Sequence, residues 1–136
     1  MKKTLEERKT EALRLRHEGY NCSQSVIMAF DDITGLEAET AARLTSGLGT
    51  GVGGSGEICG VINAMALTQG MLQSAGPSGK AASAREVRKL LDEFAESNRG
   101  RVRCADLKGK EGIRPCADLV LQGVEILHRY FESKGL

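Results

Sequence analysis

Apolar positions along this chain recur three and four residues apart, and no segment alternates convincingly as a strand would. Thr4 to Glu18 predicts a first helix with Leu5, Ala12, Leu13 and Leu15 as its apolar positions and Gly19 as its stop signal. "NCSQSVIMAFDDITG" predicts a second, with Asn21 or Ser23 as N-cap and Gly35 at its end. Cys22, Val26, Ala29, Phe30 and Ile33 share one face of it. A short third helix, from about Glu37 to Thr45, holds Ala41, Ala42 and Leu44. After a glycine-rich stretch, Glu57 to Met71 is long and apolar enough for a buried helix. Its Gly60 and Ala64 lie four apart, as small residues do where helix backbones meet closely.

"SAGPSGK" then reads as a loop. Ala81 to Ser97 predicts a charged amphipathic helix burying Val87, Leu90, Leu91 and Phe94. Residues 98 to 114 are turn-rich, with one helical turn allowed at "CADLK". Pro115 suits the first turn of a last helix. Cys116, Leu119, Val120, Val124, Leu127, Tyr130 and Phe131 line a stripe there, the strongest periodicity in the chain. The expectation is all-α: one domain over 1–136, a compact bundle of about five to six helices, and a Gly-rich loop before a central helix.

Composition narrows the function classes. The chain of 136 residues is 40% hydrophobic and 27% charged, as a soluble globular protein is. Only 4% is aromatic, so the core must rest on aliphatic side chains. A net charge of +1 gives no electrostatic footprint for nucleic acid or an anionic membrane. The basic start is not followed by an apolar signal-peptide core, and no stretch approaches a membrane span. A cytoplasmic location is expected.

"GLGTGVGGSGEICG", Gly47 to Gly60, raises the question of a nucleotide loop. "GTGVGG" fits G-x-G-x-x-G, but a dinucleotide fingerprint needs a strand before it and a βαβ unit around it. "AETAARLTS" before it is helical in character, and no Gly-Lys-Ser/Thr closes a P-loop. No nucleotide is expected. Two readings remain: a flexible connector with several positive-φ turns, or backbone closing over whatever Cys59 binds. In the second, Gly53, Gly54, Gly56, Glu57 and Gly60 are the cofactor-contacting candidates.

The four cysteines, Cys22, Cys59, Cys104 and Cys116, contain no C-x-x-C. Each falls near the start of a predicted helix, where partial positive charge and free N–H groups favour thiolate. Arg101 and Arg103 beside Cys104, and Arg114 near Cys116, push the same way. Glu57 near Cys59 pushes the other way or serves as proton acceptor. Burial alone also explains Cys22 and Cys116, which lie on apolar stripes. His17 and His128 read as solvated surface residues without metal-ligand spacing.

Taken together, "GYNCSQSVIMAF", "SGLGTGVGGSGEICGVINAMALTQG", "VRCADL" and "RPCADLV" resemble the redox-active protein family named for its C_GCAxxG_C_C pattern. The resemblance runs from about Tyr20 to Leu127. It matches Cys22 to the first family cysteine and Cys59 to the one in Cys-Gly-Ala-x-x-Gly, with Cys104 and Cys116 as the other two. It implies redox activity or a prosthetic group such as an iron–sulfur cluster. Val61 stands where the motif has Ala, and Ala64 where it has its second Gly.

Three functions compete. The four thiolates can hold an iron–sulfur cluster or a single metal ion. They can instead run metal-free thiol–disulfide chemistry, with Cys59 attacking and Cys22, Cys104 or Cys116 resolving. In either case a redox or electron-transfer partner protein is expected. The third is a non-catalytic helical binding or assembly protein with inert cysteines, in which the Cys116–Phe131 stripe marks a partner or homo-oligomer interface. No specific enzyme reaction follows from the sequence.

Overall fold

The computed structural model describes residues 1–73, 76–108 and 115–136. Eight α-helices are present among these residues: α1 (Leu5–His17), α2 (Cys22–Met28), α3 (Asp31–Thr34), α4 (Ala38–Thr45), α5 (Gly60–Gly70), α6 (Lys80–Ser97), α7 (Cys104–Lys108) and α8 (Cys116–Ser133). Six of them have seven residues or more. The described residues contain no strand, so the protein is all-α. Part of the "SAGPSGK" loop, and Arg114 with the turn-rich stretch before it, lie outside the described residues.

Local chemistry fixes most of the boundaries. Thr4 caps α1 by accepting from the Glu7 amide at 3.1 Å, and Glu6 and Glu7 complement the helix dipole there. Asn21 rather than Ser23 caps α2, in a reciprocal capping box with Gln24. Ala12 and Leu15 of α1 are buried, whereas Leu13 faces solvent. Helix α5 lies at the centre, packed on α2, α6 and α8. It is apolar on most of its circumference because it is enclosed, with Val61, Ile62, Ala64 and Met65 all buried. The α8 stripe turns into the same core: Leu119, Val120, Val124, Leu127 and Phe131 are buried within this chain. That stripe is therefore the protein's own core and not a free interface.

The predicted second helix is broken. It stops at Met28, Phe30 takes a non-helical conformation, and Asp31 begins α3. The cause lies on α1. Arg8, fully buried, donates through Nη1 to the Ala29 carbonyl at 2.8 Å. In a continuous helix that carbonyl would accept from Ile33, whose amide bonds to Phe30 instead. The guanidinium also grips Asp32 with two bonds of 2.6 and 2.8 Å and lies 4.3 Å from the centre of the Phe30 ring.

His128 completes this network and corrects its assignment to the surface. It is buried on α8, and its Nδ1 accepts from Arg8 Nε at 3.0 Å. Burial and the Arg8 charge both hold its imidazole below the usual histidine range. His17 is exposed, as expected.

Burial by itself would raise the Asp32 carboxyl, but the hydrogen bonds and charge of Arg8, with the Lys2 and Lys3 amides, outweigh it and hold it near about 2. A depressed carboxyl stabilises the fold above its unfolded value and ceases to do so as pH falls through its folded one. Stability should thus drop by about 2 kcal/mol between about pH 4 and pH 2 on account of Asp32. Denaturant titrations across that range should show the loss in the wild type and a flatter profile in Asp32→Asn. Arg8→Ala should cost about 3–5 kcal/mol at neutral pH, because it leaves Asp32 charged and unpaired.

A second prediction concerns Val61. Gly123 on α8 lies directly against it, and a Cβ at Gly123 would overlap Val61 Cγ1. The valine in place of the motif's alanine thus fills the space that a missing side chain leaves on the facing helix. Gly123→Ala should destabilise by about 1–3 kcal/mol, and adding Val61→Ala should recover much of that loss. Thermal unfolding of the two single variants and the double variant measures the coupling.

Candidate functional site

All four cysteines stand at helix starts. Cys22, Cys104 and Cys116 are the first residues of α2, α7 and α8, and Cys59 is the N-cap of α5. The fold gathers these starts around the first turn of α5. A Cβ built on Gly60 would sit 2.6 Å from Cys22 Sγ and 2.8 Å from the Leu48 carbonyl oxygen. Only glycine lets α5 approach α2 this closely. All four thiols are free.

Within this group the sulfurs divide into two pairs. The Cys22 and Cys116 thiols adjoin at the starts of α2 and α8, and each sets the acidity of the other. Cys59 and Cys104 are brought together by an isolated antiparallel bridge between Ile58 and Arg103. The Cys59 amide donates to the Val102 carbonyl at 2.9 Å, and the Cys104 amide donates to the Glu57 carbonyl at 2.7 Å. In that register Cys59 and Cys104 sit diagonally on one face of the bridge. The pairs also adjoin, since the Cys59 charge bears on Cys22 and the Cys116 charge bears on Cys59.

Electrostatics separates the thiols more sharply than helix position does. Hydrogen bonding to Cys22 draws the Cys116 thiol down to about 6, against the cost of its partial burial, with help from Lys108 and Arg16. The same hydrogen bond, then burial, pushes Cys22 up, so Cys22 keeps the proton that Cys116 gives up. Burial raises Cys59 to about 11, although the Val61 and Ile62 amides work to lower it. The expectation of an accessible Cys59 thiolate therefore does not hold. Cys59 is only 3% exposed, so the glycine-rich approach does not leave it open to solvent. Cys116 is the half-buried member of the four.

The loop itself is occupied with its own backbone. The amides of Gly53, Gly54, Gly56 and Glu57 donate to the carbonyls of Gly47, Gly49, Thr50 and Gly51. These donors, which a phosphate cradle would need, are thus used inside the loop. Gly53 and Gly54 are exposed and have no neighbour that a side chain would meet, so they lie away from the thiols. Gly56 packs against Ala105 at the start of α7, and Gly60 alone of the candidate glycines touches a cysteine sulfur. Glu57 is exposed, and its carboxylate takes two hydrogen bonds from Arg103 at 3.2 and 3.3 Å. The Arg103 charge is thereby shared with Glu57 as well as with the helix that Cys104 begins.

Sequence reasoning missed three contributors. Thr50 has a φ of +52° within a run of five positive φ values from Thr50 to Gly54. A β-branched residue there costs about 1–3 kcal/mol, and its amide lies against the Cys22 sulfur and favours the thiolate. Arg16 reaches Cys116 from the last turn of α1, one hundred residues away in the chain, so no spacing reveals it. Ser23, next to Cys22, has a buried hydroxyl with no hydrogen-bond partner among the described residues.

No group of three or more Cys, His, Asp or Glu among the described residues is arranged to hold a metal ion. The space beside Gly60, between the starts of α5 and α2, cannot take even a methyl group. A dithiol needs only two sulfurs, and that is what Cys22 and Cys116 supply.

Comparison with known proteins gives the chain a family described by redox activity. The chain belongs to the family described as "Putative redox-active protein (C_GCAxxG_C_C)", whose model matches residues 20–130. No curated protein and no solved structure matches it. It is thus a member of a redox-active protein family. The match spans the elements that carry all four cysteines.

The reactivity order follows from the local fields. Mass-mapped alkylation by iodoacetamide should modify Cys116 first, with a rate that rises through a midpoint near 6. Cys59 should lag, with its midpoint near 11. Cys22→Ala removes the shared hydrogen bond and should move the Cys116 midpoint upward.

Proposed function

We propose that this protein is a thiol–disulfide redox protein in which Cys116 is the attacking thiolate and Cys22 the resolving thiol. The observation that carries the reading is their direct pairing at the starts of two packed helices, with Cys116 the more exposed partner. The depressed acidity range of Cys116 supports it. A thiolate near neutral pH combines a high ionised fraction with adequate nucleophilicity.

The reaction balances without a cofactor. Cys116 Sγ⁻ attacks one sulfur of a partner disulfide, a mixed disulfide forms, and the partner's other sulfur leaves as thiolate and takes up a proton. Cys22 then gives up its proton, attacks Cys116 Sγ and closes the Cys22–Cys116 disulfide, releasing the second partner sulfur. Two electrons pass from the protein dithiol to the partner, and a dithiol reductant runs the sequence backwards. Cys22 S–H, while it still donates to Cys116, holds the attacking sulfur as anion. Lys108 and Arg16 add positive charge beside it.

The partner in this reading is another protein's disulfide or dithiol. A reducing cytosol is the compartment that suits free thiols of this kind. No helix of the described residues is long and apolar enough to cross a membrane.

The test is exchange with oxidised glutathione. Wild type should form the Cys22–Cys116 disulfide and release two equivalents of glutathione. Cys22→Ser should stop at a glutathione adduct on Cys116, and Cys116→Ser should slow the reaction at least about tenfold. Equal rates in wild type and Cys116→Ser would overturn the assignment.

A further inference from the structure

Two thiols remain unused by this chemistry, and they are also paired. Cys59 and Cys104 lie 3% and 4% exposed behind the outer couple, on one face of the Ile58–Arg103 bridge. Cys59 immediately precedes Gly60, whose α-carbon abuts Cys22 Sγ. The outer disulfide, once formed, therefore has a thiol beside it on the inner side. Ser23 borders the same point: its Cβ lies 3.3 Å from where a Gly60 Cβ would stand. Its unpartnered hydroxyl is available to donate to a sulfur anion formed there.

We propose that the four thiols form two dithiols in series, with the Cys22–Cys116 pair taking oxidising equivalents from outside and passing them inward to Cys59–Cys104. The relay rests on the outer dithiol proposed above. Cys59, on losing its proton, attacks Cys22 Sγ; a Cys22–Cys59 bond forms and Cys116 leaves as thiolate. Cys104 loses its proton and attacks Cys59 Sγ, closing Cys59–Cys104 and releasing Cys22, which is reprotonated. Two electrons move from the inner pair to the outer pair, which is again a dithiol and ready for a second disulfide.

Direction follows from which reduced form is the more stabilised. A dithiol whose thiolate is held by its surroundings makes the more oxidising disulfide, and Cys116 is so held whereas Cys59 is not. That difference favours transfer inward. Diagonal neighbours on a bridge stand about 7–8 Å apart, so closing the inner bond draws the 102–104 segment in by about 1–2 Å. The fully reduced chain can then deliver four electrons through the one half-buried sulfur of Cys116.

The experiment is a time course of disulfide mapping. Reduced wild-type protein is mixed anaerobically with one molar equivalent of oxidised glutathione, quenched at intervals with acid, alkylated and digested. The Cys22–Cys116 linkage should appear first and then decline as Cys59–Cys104 grows, with no further glutathione consumed. Cys104→Ser should instead accumulate the Cys22–Cys59 linkage. If Cys22–Cys116 persists while Cys59 and Cys104 stay alkylatable, the relay is overturned and the outer dithiol stands. If Cys59–Cys104 forms equally fast in Cys116→Ser, the inner pair is oxidised independently and the relay is also overturned. Absence of any Cys22–Cys116 linkage overturns both.

Discussion

The first turn of α5 is wedged between α2 and α8, and the thiol site depends on that close approach. On one side Gly60 presents bare backbone to Cys22; on the other, Val61 fills the gap left by Gly123. A larger side chain at Gly60 would push α2 away, and one at Gly123 would push α8 away. Either displacement separates Cys22 from Cys116, because those residues begin the two displaced helices. Packing of ordinary aliphatic side chains thus sets the geometry of the reactive pair.

The glycine loop contributes to this arrangement through its backbone. Its amides close on its own carbonyls, and the resulting knot lays the Thr50 amide on the Cys22 sulfur and ties Gly56 and Glu57 to the start of α7. Strain at Thr50 and Val52 is the cost of that shape. The loop acts as a strut between the starts of α2 and α7, whose cysteines are far apart in sequence.

Much of this was legible in the sequence. The all-α class, the main helices and the placing of all four cysteines at helix starts follow from periodicity, caps and glycine punctuation. The α8 stripe, the strongest of these signals, is buried as its spacing implies. Contacts between distant segments were not legible. Nothing near Phe30 announces a helix break, because the group that takes the Ala29 carbonyl is Arg8, on another helix. His128 looked solvated because its partner lies 120 residues upstream. Cys59 looked accessible because a glycine-rich approach suggests openness, whereas it is buried in the folded chain. Helix-start position predicts a common fate for four thiols, but burial and pairing give them different ones.

Arg8 links the two ends of the chain. Its partners are Ala29 and Asp32, which follow it closely, and His128, on the last helix. Cys116, on that same helix, meets Cys22 near the beginning. During synthesis Arg8 can meet Ala29 and Asp32 early, but its Nε and the Cys22 thiol stay without their α8 partners until that helix has emerged. Docking of α8 then seats the arginine and completes the dithiol in one event. An unfolded chain carries the same cysteines but lacks the paired, acidified sulfur, so full reactivity at Cys116 is a property of the folded molecule.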